Sequence, residues 1–167
     1  GRRRSGFALG GFGLASALAG GAVAVAGRDD PFALATGLGH ASWGLVNAAL
    51  ALGLLDLGGG AQRDIERDAM LRGEELLRAR EEAIRDGHRA ALVFGINLGL
   101  DVFYVATGVL LFFLADQLDG PDDQELLRGY SLAQVGQGTF LFVFDLVELV
   151  LANRRADRAA AIPFVGR

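Results

Sequence analysis

The chain has no cysteine and no lysine, and only three prolines and one methionine in 167 residues. Without cysteine there is no disulfide, no thiolate metal site and no Cys nucleophile, and the redox compartment is unreadable. All 16 basic residues are arginine, a bias that reads as genome composition or habitat and not as mechanism. Net charge is small, −4, beside 51% hydrophobic residues, which excludes disorder over most of the chain. No basic face survives this acidic balance, so nucleic acid is not an expected partner. What is present in excess is glycine, 25 residues, about twice the usual share of roughly 7%. Mean hydropathy is +0.34, too high for an ordinary soluble domain of this size. One domain is the default at this length. In so apolar a chain, abundant glycine points to closely packed membrane helices.

Four segments approach the ~20 apolar residues that a bilayer requires: residues 7–26, 32–57, 90–115 and 130–152. Asp30 is placed to cap the second, and Pro31 suits its first turn. The stretch 116–129 holds Gly120-Pro121 and five acids and reads as a surface turn. The first segment has a rival reading. Arg2-Arg3-Arg4, an apolar stretch and Ala22-Val23-Ala24 resemble a secretory signal peptide, but the stretch is longer than such an apolar core, so a retained span is expected. Arginine sets the orientation. It clusters at the N-terminus, at Arg63, Arg67, Arg72, Arg78, Arg80, Arg85 and Arg89 after span two, and at Arg154, Arg155, Arg158 and Arg167. The other two loops hold only Arg28 and Arg128. The positive-inside rule then places both termini and the long loop in the cytoplasm, in an inner-membrane, multi-pass protein. The expected fold is all-α: one transmembrane four-helix bundle over 1–167, with a long charged cytoplasmic helix between spans two and three.

That charged arm, residues 62–89, has eight acids, seven arginines and no proline. Pairs at Asp68/Arg72, Glu74/Arg78 and Glu81/Arg85 favour helix. A narrow apolar stripe of period seven, Ala69/Met70, Leu76/Leu77 and Ala83/Ile84, suits a partner helix, the membrane surface or a second copy. The simplest reading is a solvated helix that extends span three. Acids and arginines nearly cancel, so strong attraction to anionic lipid is not expected.

Ionisable groups in a span are costly and face a bundle interior or a wet cavity. Span two carries His40 and Asn47; span three Asn97, Asp101 and Tyr104; span four Gln134, Gln137, Asp145 and Glu148. Each set is spaced by threes and fours, or by seven, and shares one helix face. The three polar faces are therefore expected to meet. At ~1.5 Å per residue, Asn47, Asn97, Asp101, Asp145 and Glu148 fall in the cytoplasmic half, with Glu148 near the interface and reaching water. His40, Gln134 and Gln137 fall in the outer half. No arginine lies inside the spans, so Asp101 and Asp145, if adjacent, are expected to share a proton. Trp43 is too deep for an interface belt and is expected beside His40 or against span one, whereas Tyr130 suits the outer interface. Small residues at Gly6, Gly10, Gly13, Ala17 and Gly20, at Gly37, Ala41, Gly44 and Ala48, and at Gly95-x-x-x-Gly99 allow close helix approach.

Three stretches, His40-Ala-Ser-Trp-Gly-Leu-Val-Asn47, Asn97-Leu-Gly-Leu-Asp-Val-Phe-Tyr104 and Gln137-Gly-Thr-Phe-Leu-Phe-Val-Phe-Asp145, resemble the blocks W-G-x-x-N, N-x-G-L-D-x-x-Y and Q-G-x-F-L-x-x-F-D of an uncharacterised bacterial family with four spans. The resemblance covers spans two to four. It implies a fold and no reaction, and it draws attention to Asn47, Asn97, Asp101, Tyr104, Gln137 and Asp145.

The leading expectation is a non-enzymatic membrane protein whose polar pocket holds a small polar ligand, a lipid head group or a partner helix. The pocket would comprise His40, Trp43, Asn47, Asn97, Asp101, Tyr104, Gln137, Asp145 and Glu148. The plainer reading is interhelical glue, at about 0.6 kcal/mol per contact. An alternative is a proton-coupled transporter or pore, acting as a dimer with Asp101 and Asp145 as relay. A metal set of Asp145, Glu148 and His40, or haem on His40 and His88, is opposed by the depths of those residues. No nucleophile–base pair is visible. No catalytic residue, metal or cofactor is expected. The partners are membrane lipids and a second copy, through Gly-rich faces or the arm.

Overall fold

The computed structural model describes residues 2–54 and 71–161. The end of span two at 55–57, the first part of the arm, the Asp68/Arg72 pair and Ala69/Met70 lie outside the described residues. Four α-helices are present among the described residues, and no strand: α1 (Arg2–Ala26), α2 (Pro31–Leu54), α3 (Gly73–Leu114) and α4 (Pro121–Ala160), with a short 3-10 turn at Ala115–Gln117. The described part of the arm is helical and continuous with span three. Its helix starts at Gly73, whose φ of 58° is a backbone state that side chains disfavour. Of the arm pairs, Glu74–Arg78 forms at 3.3 Å.

The helix boundaries follow local chemistry. Asp30 Oδ1 accepts the Ala33 amide at 3.1 Å, which caps α2 just ahead of Pro31. The stretch 116–129 differs from the surface turn expected there. Only residues 118–120 are non-helical, and α4 already begins at Pro121. Proline in the first turn and the acids Asp122 and Asp123 behind it are a helix start, so the Gly-Pro pair marks the end of a short turn and not its middle.

The chain divides into two compact units, Gly1–Leu55 with Gly99–Val143, and Asp56–Leu98 with Phe144–Arg167. In the first, α1 and α2 pack antiparallel with backbone against backbone. A Cβ placed on Gly13 would come within 2.5 Å of the Ala48 nitrogen and 2.7 Å of the Gly44 oxygen; one on Gly20 would meet the Ala41 nitrogen at 2.5 Å and the Gly37 oxygen at 2.6 Å. The stripes at 13, 17, 20 and 37, 41, 44, 48 therefore face each other. The Gly95-x-x-x-Gly99 stripe differs from expectation, since a Cβ placed on either glycine meets nothing within 4 Å among the described residues. Small residues permit close packing but do not supply a partner. Between α2 and α4, Gly39 lies against Ala133 and Gly129 against Phe32, and Thr36 donates to the Gly129 carbonyl at 3.2 Å. Between α3 and α4, Gly108 meets Val135 and Gly138 meets Val105.

The second unit pairs the N-terminal part of α3 with the C-terminal part of α4. Gly87 lies against Ala156. Arg80 donates to the carbonyl oxygens of Ala159, at 3.0 Å, and Ala160. An arginine on the last carbonyls of a helix satisfies acceptors that have no intrahelical donor. The arm thus has a partner within its own chain, the tail of α4, which extends beyond the expected end at 152. Arg80→Ala is expected to fray the last turn of α4, at a cost of about 1 kcal/mol. Amide hydrogen exchange at residues 157–161 should quicken; unchanged protection there would refute the cap.

Large apolar side chains point outward and small or polar ones inward. Phe7, Leu18, Val25, Leu45, Leu92, Phe103 and Phe113 are all more than 60% exposed, whereas the largest fully buried side chains are Gln137, Asn47 and Ser131. Among the described residues, three helical stretches, Arg4–Ala26, Gly73–Gln117 and Pro121–Ala160, are long and apolar enough to cross a membrane. The second helix has span length but is not among them, because His40, Ser42, Asn47 and its glycines dilute its apolar character.

Candidate functional site

The site lies within the first unit and begins with a glutamine. Gln137, on α4, is 1% exposed. Its carbonyl oxygen accepts the Asn47 side-chain N–H at 3.0 Å, and its amide nitrogen lies 3.0 Å from His40 Nδ1. Seven residues separate His40 from Asn47, about 10 Å along α2, and Gln137 reaches both from between them. Asn47 of the expected inner set is thus joined in one chain of hydrogen bonds to Gln137 and His40 of the outer set, because a long side chain spans the difference. The order Asn47 to Gln137 to His40 makes the His40 Nδ1 an acceptor, which places its proton on Nε2 in the neutral ring.

Glycine makes room for the imidazole. A Cβ on Gly136 would lie 3.2 Å from His40 Cε1, and one on Gly20 would lie 2.9 Å from His40 Cβ. The third helix joins through Tyr104. Its backbone carbonyl accepts from Gln134 Nε2 at 3.0 Å, and its ring meets Trp43 edge-on with centroids 5.4 Å apart. Trp43 therefore packs on α3. Phe12 of α1 stacks on Phe140 of α4. Asp101, one turn from Tyr104, is 5% exposed.

Asn47 contributes an atom without a counterpart. Asn47 Oδ1 is fully buried and has no hydrogen-bond partner among the described residues, although the same side chain's N–H is used. A buried acceptor left unpaired costs about 1–3 kcal/mol.

The family of unknown function DUF6992 matches residues 8–146, most of the chain and every residue of this seam. The chain belongs to DUF6992. No curated protein and no solved structure matches it. In this DUF6992 chain the match starts in α1 and takes in the arm, further than the resemblance in spans two to four alone. It ends two residues before Glu148.

The other expected pocket residues of the DUF6992 chain fall in the second unit. Asn97 is half-buried and makes no hydrogen bond among the described residues. Asp145 is 6% exposed. Glu148 was expected to reach water, but it is 5% exposed and lies 3.8 Å from Arg155. The tail arginine two turns along the same helix supplies the charge that the span itself lacks. No group of three or more potential metal ligands gathers among the described residues. Gln134, a span residue left outside the expected pocket, belongs to the seam, as do the notch glycines Gly20 and Gly136. Gln134 shares the helical face of Gln137, so its spacing carried that signal, whereas nothing in the sequence paired a glycine on α1 with a histidine on α2.

Proposed function

We propose that this chain is a four-span integral protein of the cytoplasmic membrane, with both termini and the charged arm in the cytoplasm. It is not an enzyme, and its polar seam holds a small polar ligand. An outward apolar surface and a core of small and polar residues support the membrane reading, because lipid solvates the first and interhelical hydrogen bonds satisfy the second. In that setting α2 is a span screened by its neighbours, which explains how it tolerates His40 and Asn47.

The observation that carries the ligand reading is the orphaned Asn47 Oδ1. His40, Gln137 and Gln134 are engaged with one another or with backbone, which leaves Asn47 Oδ1 as a vacant acceptor beside them. The ligand class that fits it is a small molecule with an N–H or O–H donor, not an anion. Mass spectrometry of the protein released from lipid nanodiscs tests this. The wild type is expected to retain a species of fixed mass that Asn47→Leu loses. Identical bare spectra, or the same adduct on both, would sink the reading and leave the seam as interhelical glue. A proton-coupled carrier or pore, acting as a dimer, is the second reading. The burial of Asp101 and Asp145 favours it, and proton flux into proteoliposomes that depends on both acids would decide for it.

A further inference from the structure

A second feature of the first unit lies away from the seam. Where α2 and α4 both begin, a groove of about 560 Å³ is lined by Leu34 and Leu38 of α2, Leu118 of the preceding turn, and Asp123, Leu126 and Tyr130 of α4. This volume is within the range of small-molecule sites, roughly 300–1,000 Å³. Five of the six side chains named are apolar or aromatic, and one is a carboxylate at the first turn of α4.

The surrounding charge is one-sided. Seven carboxylates stand at this end of the unit (Asp29, Asp30, Asp116, Asp119, Asp122, Asp123 and Glu125) against two arginines. Both arginines are committed. Arg28 lies 3.6 Å from Asp29, and Arg128 is paired with Asp116 and, at 2.6 Å, with Glu125. Asp30 is engaged in capping α2. Asp119, Asp122 and Asp123 have no ion pair among the described residues, and of these Asp123 borders the groove.

We propose that this groove binds a cationic amphiphile, with an alkyl chain along Leu34, Leu38 and Leu126 and an ammonium head on Asp123. The proposal uses only the membrane reading of the chain and not the polar seam. Tyr130 sets the depth, since an aromatic ring with a hydroxyl suits the membrane–water boundary. An apolar chain then lies in the hydrocarbon and its head at the acidic surface. A phosphate-bearing or carboxylate head would meet three uncompensated acids, so the ligand class is an alkylamine or an amino-headed lipid without phosphate.

The test is photolabelling in nanodiscs of zwitterionic lipid, using an alkylamine with a diazirine on its chain, followed by peptide mapping. Label is expected around residues 34–38 and 126–130. Dodecylamine should compete it away at about tenfold lower concentration than dodecanol, the gain of one charge-assisted contact. Asp123→Asn should close that gap, while Asp122→Asn, which removes the same charge beside the groove, should keep it. Equal competition by amine and alcohol in the wild type would overturn the proposal. So would even labelling over all exposed helix faces, which is ordinary lipid contact, or competition by a lysophosphatidylethanolamine as strong as that by dodecylamine. Label confined to residues 40–47 would support the polar pocket and overturn this groove.

Discussion

Gly20→Leu is expected to separate α1 from α2, whereas Gly95→Leu leaves the fold intact. Both replace a helical glycine by a better helix former, a local gain of about 1 kcal/mol. The difference lies in what the new side chain meets. At Gly20 the first added carbon already falls 2.5 Å from the Ala41 nitrogen and 2.6 Å from the Gly37 oxygen. These are backbone atoms of a facing helix and cannot turn aside. Ordinary overpacking costs about 1–3 kcal/mol, and this case lies at or above the top of that range. His40 Cβ is 2.9 Å from the same point, so displacing α2 also pulls His40 off Gln137. At Gly95 the first added carbon meets nothing within 4 Å among the described residues, and leucine there only enlarges an apolar surface. Thermal unfolding in micelles, followed by circular dichroism, checks both. A Gly20→Leu protein as stable as the wild type would overturn the backbone-to-backbone packing of α1 and α2.

Gln137→Leu carries the second large effect. It removes the acceptor for the Asn47 N–H and the amide facing His40 Nδ1 in one step, leaving Asn47 with neither polar atom satisfied. An average interhelical hydrogen bond in a membrane contributes about 0.6 kcal/mol. Orphaning a buried group costs more, about 1–3 kcal/mol, so a loss near the middle of that range is expected. The sign reverses on a second change. Asn47→Leu in the Gln137→Leu background removes the stranded amide and should recover part of the stability, because replacing both partners by apolar groups is far less costly than removing one. The four proteins form a double-mutant cycle, whose coupling measures the contact itself. Strictly additive losses would mean that the two amides do not interact.

Much of the fold is legible in the sequence because its signals are local. Asp30-Pro31 marks the start of α2 through a cap and a fitting φ. The small stripes at 13, 17, 20 and 37, 41, 44, 48 follow from helical periodicity. Gly120-Pro121 is ambiguous, because a proline suits both a turn and the first turn of a helix, and α4 takes the second. The site was half legible. Threefold and fourfold spacing placed His40 and Asn47 on one face, and Gln134 and Gln137 on another. Depth alone divided His40 from Asn47, since a one-dimensional estimate places backbones and not the ends of long side chains.

By itself, the sequence determined that this chain is helical, where α2 begins, and which faces are small, polar or apolar, because composition and periodicity act through neighbours within a turn or two. Pairing was decided only in the tertiary structure. The glycines of α1 found backbone on α2, while Gly95 and Gly99 found no neighbour among the described residues. Gln137 took both His40 and Asn47, and the arm found the tail of its own α4 through Arg80. A face presents the same residues whatever lies opposite, and which surface meets it depends on the relative placement of helices far apart in the chain.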